Sequence, residues 1–461
     1  MLTIKRSKLI GSKEFYKTAL ALAIPIMIQN GITNFVSLLD NIMIGQIGTE
    51  AMSGVSIINQ ILNVFNIGMF GLVSGAGIFG AQFYGSNNED GFKQTMRFKV
   101  VSGIFISFLV ILLFLLKGEF LISLFLHDSN PVLIQKTMDA ANSYLGIMMV
   151  QMIPYALIQA YASSLRERGE TLLPMLSGLI SVVVNMMLNY VLIFGKLGLP
   201  VLGVKGAAIA TVVARFTELL VVVIWTHTRK EFQTFTKDLY SAFTIKKSLV
   251  IQISITGFPL LLNEGLWAGG MAVIMGGYSI RGLDTVAAFN ISTTLSNLFN
   301  IVFIALGSAI SILVGQQLGA EKFEEAKDTA QKLIFFSTVS CILVGLVMIA
   351  FAPFFPLIYN TTPQVQKLAT NFLIVASIFM PSYSFMNATY FTIRSGGKTL
   401  ITFLFDSLFV WVVSIPLCFC LTKYTALSIT VIYFLCQASE LIKCAIGYVL
   451  VKKGIWIQNL T

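Results

Sequence analysis

An all-α polytopic membrane protein is what this sequence predicts: twelve transmembrane helices in two six-helix lobes, related by a pseudo-twofold axis along the membrane normal. The first observation is composition. Of 461 residues, 56% are hydrophobic and 11% are charged, with a mean hydropathy of +0.83, whereas a soluble domain carries about 25% charge. The second is the recurrence of apolar runs, each supplying the ~20 helical residues that cross a ~30 Å hydrocarbon core. They fall at residues 19–45, 52–80, 95–116, 139–163, 172–194, 204–226, 250–278, 286–314, 332–354, 366–392, 400–422 and 426–450. Barrel strands would read as ~10-residue alternating segments instead. The third observation is a repeat. Adding 234 to a position recovers the same residue at fifteen places between Pro25 and Thr95, among them Pro25/Pro259, Gly48/Gly282, Gln82/Gln316, Gly85/Gly319 and Lys93/Lys327. Hydrophobic selection alone does not supply matched Pro, Gln and Lys. In a membrane protein an internal repeat means two bundles that rock about a binding site, which points to transport.

The elements follow in order. The chain is polar and basic through Lys17 and then enters helix 1; no small-residue cleavage site follows a short apolar core, so helix 1 reads as uncleaved. Pro25 in helix 1 and Pro259 in helix 7 are expected in the first turns of equivalent helices, where each removes a backbone donor and marks a kink or hinge. Helix 2 carries Gly71 and Gly75 at GxxxG spacing, with Gly77 and Gly80 beyond, a pattern of close helix contact. The repeat persists further along. Arg166, Gly169, Thr171 and Leu172 match Arg394, Gly397, Thr399 and Leu400 at offset 228, and Glu218 matches Glu440 at offset 222. The shrinking offset places lost residues in loops. A polar stretch rich in Lys, Thr and Phe separates helices 1–6 from helices 7–12. The expected domains are thus an N-lobe at 1–226, a cytoplasmic linker at 227–248 and a C-lobe at 249–461. Six is even, so both repeats enter the membrane in the same direction.

Charge sets the topology. With the N-terminus inside, 22 Lys and Arg fall on inside segments and seven outside, with Arg215 and Lys443 within helices. That asymmetry places both termini in the cytoplasm of a multi-pass plasma (inner) membrane protein. The net charge of +10 is then topology plus attraction to anionic lipid, and no nucleic-acid partner is expected. No GxxxxGK[ST] run is present. His127 and His227 fall in or beside loops. Cys341, Cys418, Cys420, Cys436 and Cys444 lie in helices and read as small packing residues rather than a disulfide or zinc framework. No enzyme activity and no cofactor are expected, and the protein is expected to be a monomer.

Five acids fall inside predicted helices, and each costs at least ~2.5 kcal/mol to insert near the helix centre. Glu218 has Arg215 three residues before it and Glu440 has Lys443 three residues after, spacing that pairs opposite charges on one helix face. Asp406 lies about two turns into helix 11, with Arg394 and Lys398 near enough to be its partners at that surface. Asp40 and Glu264 have no Lys or Arg within four residues. Neither has an acidic counterpart in the other half: the repeat maps Asp40 to Ile274 and Glu264 to Asn30. Acids that break the symmetry of a duplicated scaffold are candidates for ion or substrate handling. Helix 1 adds the amides Gln29, Asn30, Asn34 and Asn41. Helix 5 adds Asn185 and Asn189 on one face, and helix 6 adds Thr211. With Asp40 these form an oxygen-rich set for a proton or a sodium ion, since hard cations prefer carboxylate, amide and hydroxyl oxygen; interhelical polar glue is the plainer reading. Met148, Met149, Met152, Met186 and Met187 would offer an adaptable surface if they face the centre.

Four segments together resemble one family across essentially the whole chain. Leu38-Leu39-Asp40-Asn41-Ile42-Met43-Ile44-Gly45 resembles the helix-1 motif of multidrug and toxic compound extrusion (MATE) transporters. Gly203-Val204-Lys205-Gly206-Ala207-Ala208-Ile209-Ala210-Thr211 resembles that family's entry to helix 6, Asn263-Glu264-Gly265-Leu266-Trp267 its helix-7 acid motif, and Arg394-Ser395-Gly396-Gly397-Lys398-Thr399 its loop after helix 10. The resemblance implies two six-helix lobes in a V around a central cavity, and export of small organic, cationic or amphipathic, compounds in exchange for protons or sodium. It implies coupling at Asp40, cation-site roles for Asn185 and Thr211, with sodium at Asp40, Asn185 and Thr211 as one reading, and a C-lobe acid at Glu264. Some members carry an acid on helix 5 where this chain has Asn189, and one on helix 10 where Asn387 lies nearby. The alternative reading is a lipid-linked saccharide flippase of the same superfamily, which would favour a cationic cavity.

Overall fold

The computed structural model describes residues 9–126, 130–241 and 244–461, and among them no strand occurs. Twelve helices are long and apolar enough to cross a membrane: α1 Lys13–Gly45, α2 Thr49–Gly85, α3 Glu89–Ser123, α4 Pro131–Glu167, α5 Leu172–Phe194, α6 Val204–Thr228, α7 Lys247–Ser279, α8 Leu283–Gly319, α9 Phe323–Phe351, α10 Pro363–Ser395, α11 Thr399–Tyr424 and α12 Ile429–Lys453. Each contains one of the twelve apolar runs, apart from a three-residue overhang at 352–354 and at 426–428. At the second overhang the Ser428 hydroxyl accepts from the Val431 amide and fixes a later start. Several helices continue past their apolar runs because their ends are capped by polar side chains. Asn88 starts α3 by accepting from the Gly91 amide at 2.9 Å, and Asn130 starts α4 ahead of Pro131. Arg97 and Lys99 both lie within α3.

Pro25 and Pro259 are not in first turns. Both α1 and α7 are 33-residue helices, and each proline lies twelve residues beyond the helix start. The polar residues before them, including Lys13 and Lys247, are helical too, which hydropathy does not reveal. At an interior position proline removes an i→i−4 hydrogen bond.

The chain forms two compact units. One comprises the residues through Met27, Ala81–Asn87 and Ser254–Thr461; the other comprises Ile28–Gly80 and Asn88–Ile253. In the second, Ile58, Met69, Ile122, Tyr144, Met148 and Met152 are core residues. Met148 and Met152 are therefore packing residues, while Met186 and Met187 are exposed. In the first, Tyr278, Phe289, Phe372 and Tyr433 form an aromatic core with ring centroids 4.8–6.5 Å apart. His227 contacts Tyr161 Oη at 2.9 Å, and His127 lies outside the described residues.

The polar stretch after α6 is held against α3. The buried Arg97 guanidinium donates to the carbonyls of Leu239 at 2.7 Å, Asp238 at 2.9 Å and Thr244 at 3.2 Å, and the Gln94 side chain accepts from the Lys246 amide at 3.0 Å. The rings of Phe92 and Phe235 meet edge to face, with Arg168 over Phe235. Charged hydrogen bonds contribute about 1.5–3 kcal/mol each. Arg97→Met should therefore free this segment, and tryptic cleavage at Lys237 and Lys246 in folded protein should accelerate about tenfold through local opening. Unchanged cleavage would show that the aromatic contacts alone hold it.

Candidate ion and substrate sites

In the second unit three helices converge on Asp40. Asn185 and Asn189 lie four residues apart on α5 and so share a face; both are buried. The Asn189 amide donates to Asp40 Oδ1 at 2.6 Å and to Asn185 Oδ1 at 3.0 Å. The Asn185 amide donates to Thr211 Oγ1 on α6 at 3.3 Å, and Thr211 in turn donates to the Ala207 carbonyl. Of these four donations only the one from Asn189 ends on the Asp40 carboxylate, and Asn189 Oδ1 is left buried without a partner. A carboxylate, amide oxygens and a hydroxyl at one place fit a proton or a sodium ion, and the orphaned acceptor fits a cation in particular. Asp40 forms no ion pair among the described residues. Asn30 is half-buried and Asn34 exposed; neither joins this network.

Gln29 has a different job. It lies on α1 eleven residues before Asp40, where its amide donates to the Pro174 carbonyl at 3.2 Å and its oxygen accepts from Arg166 at 2.7 Å. Glu218 pairs with Arg215 at 2.8 Å, as its spacing predicts, and Arg215 stacks over Tyr155.

One buried pair is invisible to sequence reasoning. Lys99, fully buried on α3, meets Glu167 at the end of α4 at 2.6 Å, with Ser164 also accepting from the ammonium. The two residues are far apart in sequence: Lys99 falls within the run at 95–116 and Glu167 beyond the end of the run at 139–163, and no local spacing links them. Gly77 and Gly80 on α2 were the available signal: a Cβ at Gly77 would stand 2.9 Å from Glu167 Oε1, and one at Gly80 would collide with the carboxylate. These glycines make room for a buried charge.

In the first unit the polar centre is Asn263, buried on α7. Its amide donates to Asp406 Oδ2 at 3.1 Å, and its oxygen accepts from the Ser407 hydroxyl at 2.7 Å. By the 234 repeat Asn263 is the counterpart of Gln29, so an amide at one position ties each first helix of a half to its neighbours. The expected partners of Asp406, Arg394 and Lys398, are not the ones it has. Lys443 pairs with Asp406 at 3.3 Å and with Glu440 at 2.9 Å, and Ser414 donates to Glu440. The reason is that Lys443 reaches Asp406 from α12, 37 residues further along the chain. Residues 404–408 and 410–414 of α11 are π-helical, and the wider turn changes which way successive side chains face. Glu264, half-buried beside Asn263, makes no hydrogen bond or ion pair among the described residues.

The six acids described above separate into two classes. Glu167, Glu218, Asp406 and Glu440 each form a direct salt bridge, and Asp40 and Glu264 do not. These two are the acids that break the repeat.

Comparison with known proteins agrees with this architecture. The MatE family model matches residues 25–191 and 260–420. A probable multidrug resistance protein NorM of Thermotoga maritima is 25% identical, over 90% of this chain and 88% of its own length. Its namesake in Bacillus cereus is 26% identical over 89% of each chain. Among solved structures, an outward-facing multidrug resistance MATE family transporter of the MOP superfamily superposes with TM-score 0.86 at 16% identity, covering 98% of this chain and 99% of that one. A point mutant of the Vibrio cholerae MATE transporter VcmN gives 0.86 at 18% identity, over 97% of this chain and 98% of that one. The fold is thus the MATE fold of twelve membrane helices in two six-helix lobes. With a family model matched across most of both halves, this multi-pass membrane protein belongs to the MATE transporter family.

Proposed function

We propose that this protein is a secondary active antiporter that exports cationic or amphipathic organic compounds in exchange for protons or sodium. The observation that carries the reading is the division of the acids: Asp40 and Glu264, alone among those discussed, make no direct salt bridge, and the charges of Arg215 and Arg394 act on them only from farther away. A carboxylate without a direct salt bridge is the more available to a mobile cation, whereas Asp406 and Glu440 share Lys443 as a direct partner. Asp40, with Asn185, Asn189 and Thr211, is the coupling site, and Glu264 is the acid of the C-lobe. The lobes run 1–226 and 249–461 about the linker at 227–248. Both termini are cytoplasmic, in the plasma membrane, and the protein acts as a monomer. Relatives named multidrug resistance proteins support the substrate class.

Binding at Asp40 drives transport only if the two access states differ in affinity for the ion. A carboxylate that loses its charge on protonation supplies such a difference. The test is transport of a fluorescent organic cation by the protein in vesicles, with proton and sodium gradients imposed separately. One of the two should drive accumulation. If neither does, the antiport reading fails. Against the flippase reading, the helix cations Lys99, Arg215 and Lys443 are each paired with an acid, Arg97 is held by backbone carbonyls and Arg166 donates to Gln29.

A further inference from the structure

The sequence repeat produces a contact that neither half makes alone. At the end of α2, Ala81-Gln82-Phe83-Tyr84-Gly85 repeats at offset 234 as Gly315-Gln316-Gln317-Leu318-Gly319 at the end of α8. These two stretches cross within one compact unit. A Cβ at Gly85 would collide with the Gln316 carbonyl, and a Cβ at Gly319 would collide with the Gln82 carbonyl. A Cβ at Gly315 would stand 3.0 Å from Ala81 Cβ. The contact is reciprocal: residue i of one half meets residue j of the other and the reverse, as in a two-fold interface. Small residues at i and i+4 on both helices let the backbones touch.

Gln82 adds a polar tie to this contact. It is fully buried, and both ends of its amide are used. Nε2 donates to the Ser395 carbonyl at 2.9 Å, and Oε1 accepts from the Leu460 amide at 2.8 Å. Leu460 belongs to a segment beyond α12 that is tied down elsewhere as well. Trp456, fully buried, joins the core beside Ile310, Val314 and Leu318 of α8. Gln458 donates to the Gly396 carbonyl, and Asn459 donates to Glu321 at 3.4 Å. Residues 456–460 thus reach the turn after α10, the turn after α8 and the end of α2. All of these are ends assigned to the cytoplasmic face.

We propose that the α2–α8 crossing is a gate on the cytoplasmic face, and that residues 456–460 are the latch holding it shut through Gln82. The physical argument is the asymmetry of the bonds. Backbone contact between small residues is made of many weak dispersion terms and parts cheaply. A buried amide with both groups satisfied does not part cheaply, because opening leaves the Ser395 carbonyl and the Leu460 amide without partners unless water enters. The latch therefore sets the equilibrium between shut and open, and the crossing sets the shape of the shut state.

Two measurements on the full-length protein test this. In a variant whose five cysteines are replaced, Ala81→Cys with Gly315→Cys should form a disulfide under mild oxidant. Oxidation should reduce export by about tenfold or more and reductant should restore it, because one access state is locked. Cross-linked protein that exports at the reduced rate overturns the gate, as does folded protein that never cross-links. Separately, Gln82→Met keeps the length of the side chain but loses both bonds. It should raise maleimide labelling of Ala81→Cys by about tenfold through more frequent opening. Gln458→Ala, at a less buried position, should act in the same direction more weakly. Labelling unchanged in both overturns the latch. Labelling needs no substrate and no gradient, so it reads on the latch whether or not the coupling site is at Asp40.

Discussion

Asp40→Asn should abolish ion-driven accumulation while leaving the protein folded. The substituted amide can still accept from Asn189, whose donor stands 2.6 Å from Asp40 Oδ1, so the α1–α5 contact survives. What disappears is the charge. A transporter that no longer carries one elementary charge per cycle forfeits about 2.3 kcal/mol of driving force per 100 mV, which is about a fiftyfold loss in the accumulation ratio at that potential. The measurement is the steady-state accumulation of a fluorescent cation in vesicles at a fixed potential and ion gradient, with expression and monodispersity as controls. Glu264→Gln gives the comparison. A full loss with Asp40→Asn and a partial one with Glu264→Gln places coupling in the first half of the chain. Wild-type accumulation by both single variants and by the double variant would sink the assignment.

Lys443→Met should destabilise the protein by about 3–5 kcal/mol, the usual cost of removing one partner of a buried ion pair. Lys443 is 1% exposed and serves Asp406 and Glu440 together, so its loss leaves two half-buried carboxylates without their shared counter-ion. The methionine fills the stem's volume, and the cost is electrostatic. Thermal unfolding in detergent should show the loss, and the triple variant Lys443→Met, Asp406→Asn, Glu440→Gln should recover most of it, because no charge is then left uncompensated. A single variant as stable as the parent would mean the acids are solvated or protonated, and that the lysine is not their counter-ion.

The candidate site is readable where its pattern is local. Asn185 and Asn189 share a face by helix periodicity, and Arg215 with Glu218 and Glu440 with Lys443 follow the i, i+3 rule. Asp40 and Glu264 stand out because the repeat has Ile274 and Asn30 at the matching places. What sequence cannot show joins distant positions. Lys99 and Glu167 are 68 residues apart, and Asn263 and Asp406 are 143 apart. In the first pair Glu167 lies beyond the margin of its apolar run, where a hydropathy profile cannot distinguish a helix end from a loop. The partner of Asp406 differs from expectation because Arg394 and Lys398 are near it in sequence, whereas Lys443 reaches it from α12, 37 residues further along the chain.

The sequence by itself determined the number of membrane helices, their order, the duplication and the two acids without a cationic neighbour. Those properties rest on composition and short spacings, and a bilayer enforces both, since an unpaired backbone or an uncompensated charge has no water to turn to. Only the tertiary structure decided which charges neutralise which, that Asn189 and Asp40 touch, and that Gln82 is held by residues 456–460. Those outcomes depend on which helices become neighbours, and neighbours are chosen by packing over the whole chain rather than by any stretch of it.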